Sequence, residues 1–288
     1  MDHKDKVIGR TIVVTGGARG IGFATAAALR GRGARIVIGD RDRAALDTAV
    51  AELATAGSIS GHLVDVADRR SFAEFLDAAR ADGRGRIDVL INNAGVMPVG
   101  SFTDQSQQAI RSALEVNLYG VLNGCQLVLP EMVARRSGHI INIASMAGVM
   151  AIPGQVVYAA TKYGVVGLSV AMADEFASRG VEVSVVLPPF TQTDLIAGTK
   201  SSGVGKPVQP EVVAAAVVGA LDKPRTYVAL PQPTRLVGPL VSMLGARGRR
   251  WFNKRIGADK LFLDDIDHTA RRFYEERAQA ALGVVERQ

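Results

Sequence analysis

Short apolar runs rich in Val and Ile recur along the chain, separated by longer stretches in which Ala and Leu return every three or four positions. The runs expected as strands are TIVVTG (11–16), RIVIGD (35–40), ISGHLVD (59–65), IDVLINNAG (87–95), HIINIAS (139–145), VEVSVVLP (181–188) and TYVALP (226–231). Most are continuously apolar, the pattern of strands covered on both faces. Between them, segments such as GIGFATAAALRGRG and AALDTAVAELATAG carry helical spacing and end in glycine. This repetition predicts an α/β fold: one doubly wound domain over residues 1–231, built on a parallel sheet of seven strands. Two segments break the alternation. Residues 189–209, PFTQTDLIAGTKSSGVGKPVQ, form a connection long enough to act as a lid. Residues 232–288 are a C-terminal extension that a finished sheet does not need, and its stretch DDIDHTARRFYEERAQAALG reads as a capped amphipathic helix with Ile266, Ala270 and Phe273 on one face.

Composition narrows the class. The 288 residues are 48% apolar and 22% charged, enough to bury a large core. The single cysteine, Cys125, cannot form an intramolecular disulfide, which fits a reducing cytoplasm, and its apolar neighbours suggest a packed thiol. The opening MDHKDKVIGR has no hydrophobic signal region, and no apolar run approaches the ~20 residues of a membrane span. His3, His62, His139 and His268 are scattered without metal-ligand spacing, so no metal site is expected.

Charge changes the picture in one place. Arg235, Arg247, Arg249, Arg250, Lys254, Arg255 and Lys260, against Asp259 alone, carry the whole net charge of +6. Six of these seven cations fall within PTRLVGPLVSMLGARGRRWFNKRIG (233–257), mixed with Leu236, Leu240, Leu244, Trp251 and Phe252. Such a stretch can lie on an anionic membrane. The preferred expectation is a pair of short helices that pack beside the lid and narrow the substrate entrance, or cover an oligomer neighbour, while the arginines stay solvated. No nucleic-acid reader motif accompanies the charge.

Candidate chemistry begins with TGGARGIG (15–22), which follows the first strand and opens a helix. Glycines at 16, 20 and 22 let the chain turn tightly and bring backbone N–H groups to a pyrophosphate. Gly16, Arg19, Gly20, Ile21 and Gly22 are therefore candidate nucleotide contacts. Asp40, ending the second strand, would accept hydrogen bonds from the adenosine ribose and repel a 2′-phosphate, which favours NAD. Arg19 and Arg41 argue for NADP as second choice, unless they are solvated or Arg41 pairs with Asp42. Tyr158 and Lys162 stand four residues apart, on one helical face. An ammonium beside a phenol lowers its pKa toward neutrality, where it can exchange a proton with an alcohol or ketone. Ser145, at the end of the fifth strand, stands where parallel sheets bind ligands and would hold the substrate oxygen.

With TGGARGIG, DV (65–66), NNAG (92–95), Asn117 in EVNLYG, Ser145 and YAATK (158–162), the chain resembles the short-chain dehydrogenases/reductases over roughly residues 8–231. The resemblance implies a Rossmann-type fold and NAD(P)-dependent oxidoreduction, with Tyr158 as acid/base and Lys162 lowering its pKa and holding the nicotinamide ribose. It further implies that Asn117 anchors a water linked to Lys162, that Asp65 and Val66 meet the adenine, and that Asn93, Ala94 and Gly95 line the ribose side. A homodimer or homotetramer is implied too. One departure is Pro188-Pro189, where relatives usually carry Pro-Gly; this alters the loop over the nicotinamide and the placement of Thr193, expected at the carboxamide. Met146, Val149, Met150, Ile152, Val157, Phe190, Leu195 and Ile196 suggest a bulky apolar alcohol or ketone as substrate, although the lid also carries Lys200 and Lys206. A nucleotide-sensing protein without catalysis is the alternative; retention of Ser145, Tyr158, Lys162 and Asn117 together speaks against it.

Overall fold

A computed structural model describes residues 6–54, 58–199, 206–230, 240–241, 243–264, 266–267, 269–271 and 274. Seven strands form one parallel sheet: β1 (Thr11–Thr15), β2 (Arg35–Asp40), β3 (Ile59–Leu63), β4 (Val89–Asn92), β5 (Gly138–Ile143), β6 (Val181–Leu187) and β7 (Tyr227–Ala229). Their order is β3-β2-β1-β4-β5-β6-β7, so the winding reverses between β1 and β4. A crevice opens beyond the carboxyl ends of the strands at such a reversal.

The continuous apolar runs follow from burial on both faces. In β1, Val13 faces one core with Val37, Leu90 and Ile140, while its neighbours Ile12 and Val14 face the other with Ile36, Ile38 and Ile141. The first core is closed by α3 (Arg69–Asp82), α5 (Gly120–Ala134) and α6 (Val156–Phe176). The second is closed by α1 (Gly20–Gly31), α2 (Arg43–Leu53) and α7 (Pro210–Asp222). Each such side chain contributes roughly 1.5–3 kcal/mol by leaving water. Cys125 is buried in the first core and its thiol is pushed up to about 12 by burial. A buried polar ladder crosses the same region: Asn92 Nδ2 donates to Asn142 Oδ1 (2.9 Å), and Asn142 Nδ2 donates to Ser169 Oγ (2.9 Å). It fixes α6 against β4 and β5 through hydrogen bonds that are costly to leave unmade inside a core. By length and composition the stretch Val156–Arg179 would pass for a membrane span, but half of it is buried inside the fold.

Beyond β7 the structure departs from expectation. The helix α8 (Ala246–Arg255) buries none of its residues. Leu240, Met243, Leu244 and Trp251 are exposed instead of turned inward, and Leu236 lies outside the described residues. The reason is local. The only large apolar residues in ARGRRWFNKR are Trp251 and Phe252, which are adjacent, so the helix has no stripe to bury. The cleft is covered by the residues just downstream, with Ala258, Leu261 and Phe262 fully buried.

Candidate active site

The turn between β1 and α1 is built on close contact. Gly16 and Gly20 adopt positive φ, and a Cβ at Gly22 would stand 2.1 Å from the carbonyl oxygen of Gly16. Asn93 laces this turn to the end of β4: its Nδ2 donates to the carbonyls of Thr15 and Gly16, and its amide donates to Thr15 Oγ1. The helices α2, α3 and α4 (Gln107–Leu114) are capped by the side chains of Asp42, Asp68 and Ser106, whereas α1, like α6 and α7, has no side-chain cap. Its first amides are thus left for an anionic ligand.

Asp40 closes the far end of this region. Its carboxylate accepts from the amides of Ala18 and Asp42, both at 3.2 Å. Arg19 pairs with Asp42 at 2.6 Å. Burial lowers the Arg41 pKa, opposed by the charges of Asp65 and Asp40. Asp65 accepts from Ala67 N at 3.0 Å, which shapes the turn leading to Val66.

At the opposite end, Ser145 lies just past β5 and Tyr158 in the first turn of α6. Both line the same cleft, where Ser145 opposes the effect of burial on the Tyr158 phenol, and Ser145 Oγ accepts from Ala147 N at 3.1 Å. Lys162 Nζ lies 5.7 Å from the Tyr158 ring centroid and donates to the Ile143 carbonyl at 2.9 Å. The expectation that lysine lowers the phenol's pKa is not met in this arrangement. Burial pushes Tyr158 up to about 12 and Lys162 down to about 8. Removing each group from water favours its neutral form.

Asn117 is fully buried. It sits in a π-helical turn, Glu115–Tyr119, with its carboxamide committed to Val96 N and O (both 2.8 Å) and to Thr161 Oγ1 (3.1 Å). It is a strut that fixes the loop after Gly95 beside Lys162.

These elements enclose a cleft of about 580 Å³. Of the residues singled out in the sequence for catalysis or cofactor, Gly22 and Asn117 stand behind its wall; all the others line it. Gly22 is a packing residue inside the turn. Around the Pro188-Pro189 departure, Pro188 O accepts from Met146 N, Pro189 O accepts from Thr191 Oγ1, and the Thr193 methyl faces Gly20. The apolar end is walled by Met146, Met150, Ile152, Phe190, Leu195 and Ile196, as expected, whereas Val149 and Val157 do not reach the cleft. Lys206 is exposed and Lys200 lies outside the described residues.

Sequence reasoning missed Met97, Leu261, Phe262 and Tyr274, which complete this wall. Phe262 meets Phe190 edge to face, and Gly154, at φ +81°, lies so close to it that a Cβ would stand 2.4 Å from the Phe262 carbonyl. The lid is joined to the C-terminal segment by Asp267 N donating to Gly198 O (2.7 Å) and by the bridge between Thr199 and Ile266. Arg271 is 4% exposed; it donates to the carbonyls of Leu195 (3.0 Å) and Met97 and lies 4.4 Å from the Tyr274 ring centroid. No sequence signal distinguishes this arginine from its solvated neighbours. Arg271→Met is expected to raise KM for substrate by roughly tenfold or more, through lost charge-assisted hydrogen bonds, while kcat changes little. Steady-state kinetics checks it; an equal fall in kcat with KM unchanged would show that Arg271 serves the chemical step instead.

The short chain dehydrogenase family model matches residues 10–202. The chain is 36% identical over 188 residues to the 3-oxoacyl-(acyl-carrier-protein) reductase FabG of Thermotoga maritima, covering 65% of this chain and 76% of that one. It is 38% identical over 196 residues to D-threitol dehydrogenase of Mycolicibacterium smegmatis, covering 68% and 75%. Among solved structures, a short-chain dehydrogenase/reductase of Burkholderia phymatum in complex with NAD superimposes with a TM-score of 0.76 at 26% identity, over 82% of this chain and 94% of that one. The matched region contains the glycine turn, the crevice at the β1/β4 reversal and the Ser145–Tyr158 pair, and on these grounds the chain belongs to the short-chain dehydrogenase family of oxidoreductases.

Proposed function

We propose that the protein uses NAD(H) to interconvert a secondary alcohol and its ketone on a bulky apolar substrate. One observation carries the reading: Ser145 and Tyr158, beside Lys162, line one cleft where its polar half meets its apolar half. The polar half suits a dinucleotide, with uncapped α1 amides, glycines at positive φ and Asp40 beyond them. A Cβ at Gly95 would crowd Asn117 Oδ1 at 3.2 Å, beside Lys162. A bound nicotinamide would supply or accept the hydride.

The protein's own part is to manage a proton and a developing charge. A phenol at about 12 is fully protonated at neutral pH, so Tyr158 is loaded to donate its proton to a ketone oxygen. Ser145 donates a second hydrogen bond to that oxygen and stabilises the charge that builds there. The Lys162 ammonium then supports the phenolate left behind, and in alcohol oxidation the same phenolate takes the proton back. The cleft's cations, Arg19, Arg41 and Lys162, all lie among the cofactor residues. The far end offers methionines and aromatic rings, with Asp194 as its charged group, which supports an uncharged apolar substrate.

For the cofactor, Arg19 is already paired and Arg41 lies beside Asp40 and Asp65, which supports NAD over NADP. NADH is expected to bind at least about tenfold tighter than NADPH, since like charges at a 2′-phosphate are costly, and Asp40→Ala should narrow the gap. Measured dissociation constants that favour NADPH in the unmodified protein would overturn the choice. Screening hydroxysteroids, retinoids and aliphatic alcohols, with their ketones, tests the substrate; turnover confined to small charged acids would sink the apolar reading. Exposed Tyr119, Val156 and Tyr163 support a homodimer or homotetramer, which a light-scattering mass of one chain would contradict.

A further inference from the structure

We propose that α8 and the residues flanking it dock on the surface of an anionic lipid bilayer. The proposal is independent of the chemistry in the cleft. Arg247, Arg249, Arg250, Lys254 and Arg255 on the helix, with Lys260 after it, are accompanied between residues 246 and 260 by one carboxylate, Asp259. Among the described residues none of these six cations is in an ion pair; Arg249 and Arg250 donate only to the backbone carbonyls of Leu244 and Ala246. Some arginines elsewhere are paired, as Arg32 is with Asp222 and Arg80 with Glu131, but nowhere else in the sequence do so many cations stand together with so few carboxylates.

Charge alone would suit any polyanion. The apolar residues among the cations decide between them. Trp251 is 67% exposed, Leu240 61% and Met243 84%. Leu244 lies against Gly248, where a Cβ would meet its own Cβ at 3.3 Å, and Trp251 comes one turn further along the same side. A nucleic acid gains nothing from an exposed Leu and Met without a reader motif, whereas a membrane interface uses the whole set. Trp sits at the headgroup level, Leu and Met enter the acyl boundary, and long Arg and Lys side chains reach lipid phosphates.

The docked helix would be firmly held. Ala258, Leu261 and Phe262, immediately after it, are buried, and the last two line the cleft, while Leu263 is again exposed. The chain therefore passes from lipid-facing surface to cleft wall within a few residues.

Trp251 is the only tryptophan in the chain, so its fluorescence reports on this site alone. The full-length protein is mixed with phosphatidylglycerol-containing vesicles and, separately, with pure phosphatidylcholine vesicles, and followed by sedimentation and Trp emission. The expected result is co-sedimentation with the anionic vesicles only, weakened by salt and accompanied by a blue shift. The double substitution Arg249→Glu/Arg250→Glu should weaken binding by about tenfold or more. Thermal stability and NADH affinity should not change, because α8 buries no side chain. Absence of vesicle binding, equal binding to neutral vesicles, or binding without a shift in Trp emission would each overturn the proposal. So would duplex DNA binding that survives Trp251→Ala, which marks a polyanion site, or a drop in oligomer mass in Trp251→Ala, which marks an interface between copies.

Discussion

Tyr158→Phe should lose roughly 10²–10⁴-fold in kcat, the range a positioned proton donor supplies, while binding NADH as tightly as the unmodified protein. The substitution removes one oxygen and leaves the buried ring in place. Stopped-flow reduction and a fluorescence titration check the two halves, and near-normal turnover with any accepted substrate would overturn the role given to Tyr158. The pH profile adds a second handle. Burial lowers the Lys162 pKa, so its ammonium is complete only below about 8 and is lost above it. Ketone reduction, measured as kcat/KM, should be level below that pH and decline above it. Lys162→Met should be slower throughout and lack the decline.

Gly22→Ala should lower NADH affinity by at least about tenfold and reduce the melting temperature. The added methyl would stand 2.1 Å from Gly16 O and 2.6 Å from Asn93 Nδ2, and Asn93 itself holds that carbonyl. Neither atom is the free end of a flexible side chain, so the turn must deform, at the ~1–3 kcal/mol typical of overpacking. Gly31→Ala is the control, since a Cβ there meets nothing within 4 Å. Dissociation constants and thermal scans decide the matter; unchanged values for Gly22→Ala would mean that the turn tolerates a side chain and is not the tight cradle described.

The strands and the linear motifs are legible in the sequence because each depends on few neighbours. A strand buried on both faces must be apolar throughout, and residues at strand ends in a parallel sheet converge on one edge whatever the loops do. Ser145, Tyr158 and Lys162 are placed by that rule. Gly22 shares the motif of Gly16 and Gly20, yet which glycine faces ligand and which faces its own turn is settled by the path of Asn93, far away in sequence. The pKa values are illegible for the same reason: spacing places Lys162 near Tyr158, but burial is the work of everything packed around them. Arg271 and Phe262 reach the cleft from the far end of the chain, where no periodicity tells a buried arginine from a solvated one. The tail departs from expectation because apolar residues such as Leu240 and Trp251 need not find their cover within the chain.

The joining of lid and C-terminal segment bears on how this protein could be re-engineered. The family match ends at residue 202, so it contains the proton-transfer groups but only part of the substrate wall. Leu261, Phe262 and Tyr274 stand outside it, and Arg271, Asp267 and Ile266 fasten them to Leu195, Gly198 and Thr199. A lid grafted alone from a relative would leave a buried guanidinium facing carbonyls that no longer fit, a mismatch of a kind that costs several kcal/mol. Lid and tail form a single exchangeable cassette, and altered selectivity should emerge from paired changes in both sooner than from either by itself.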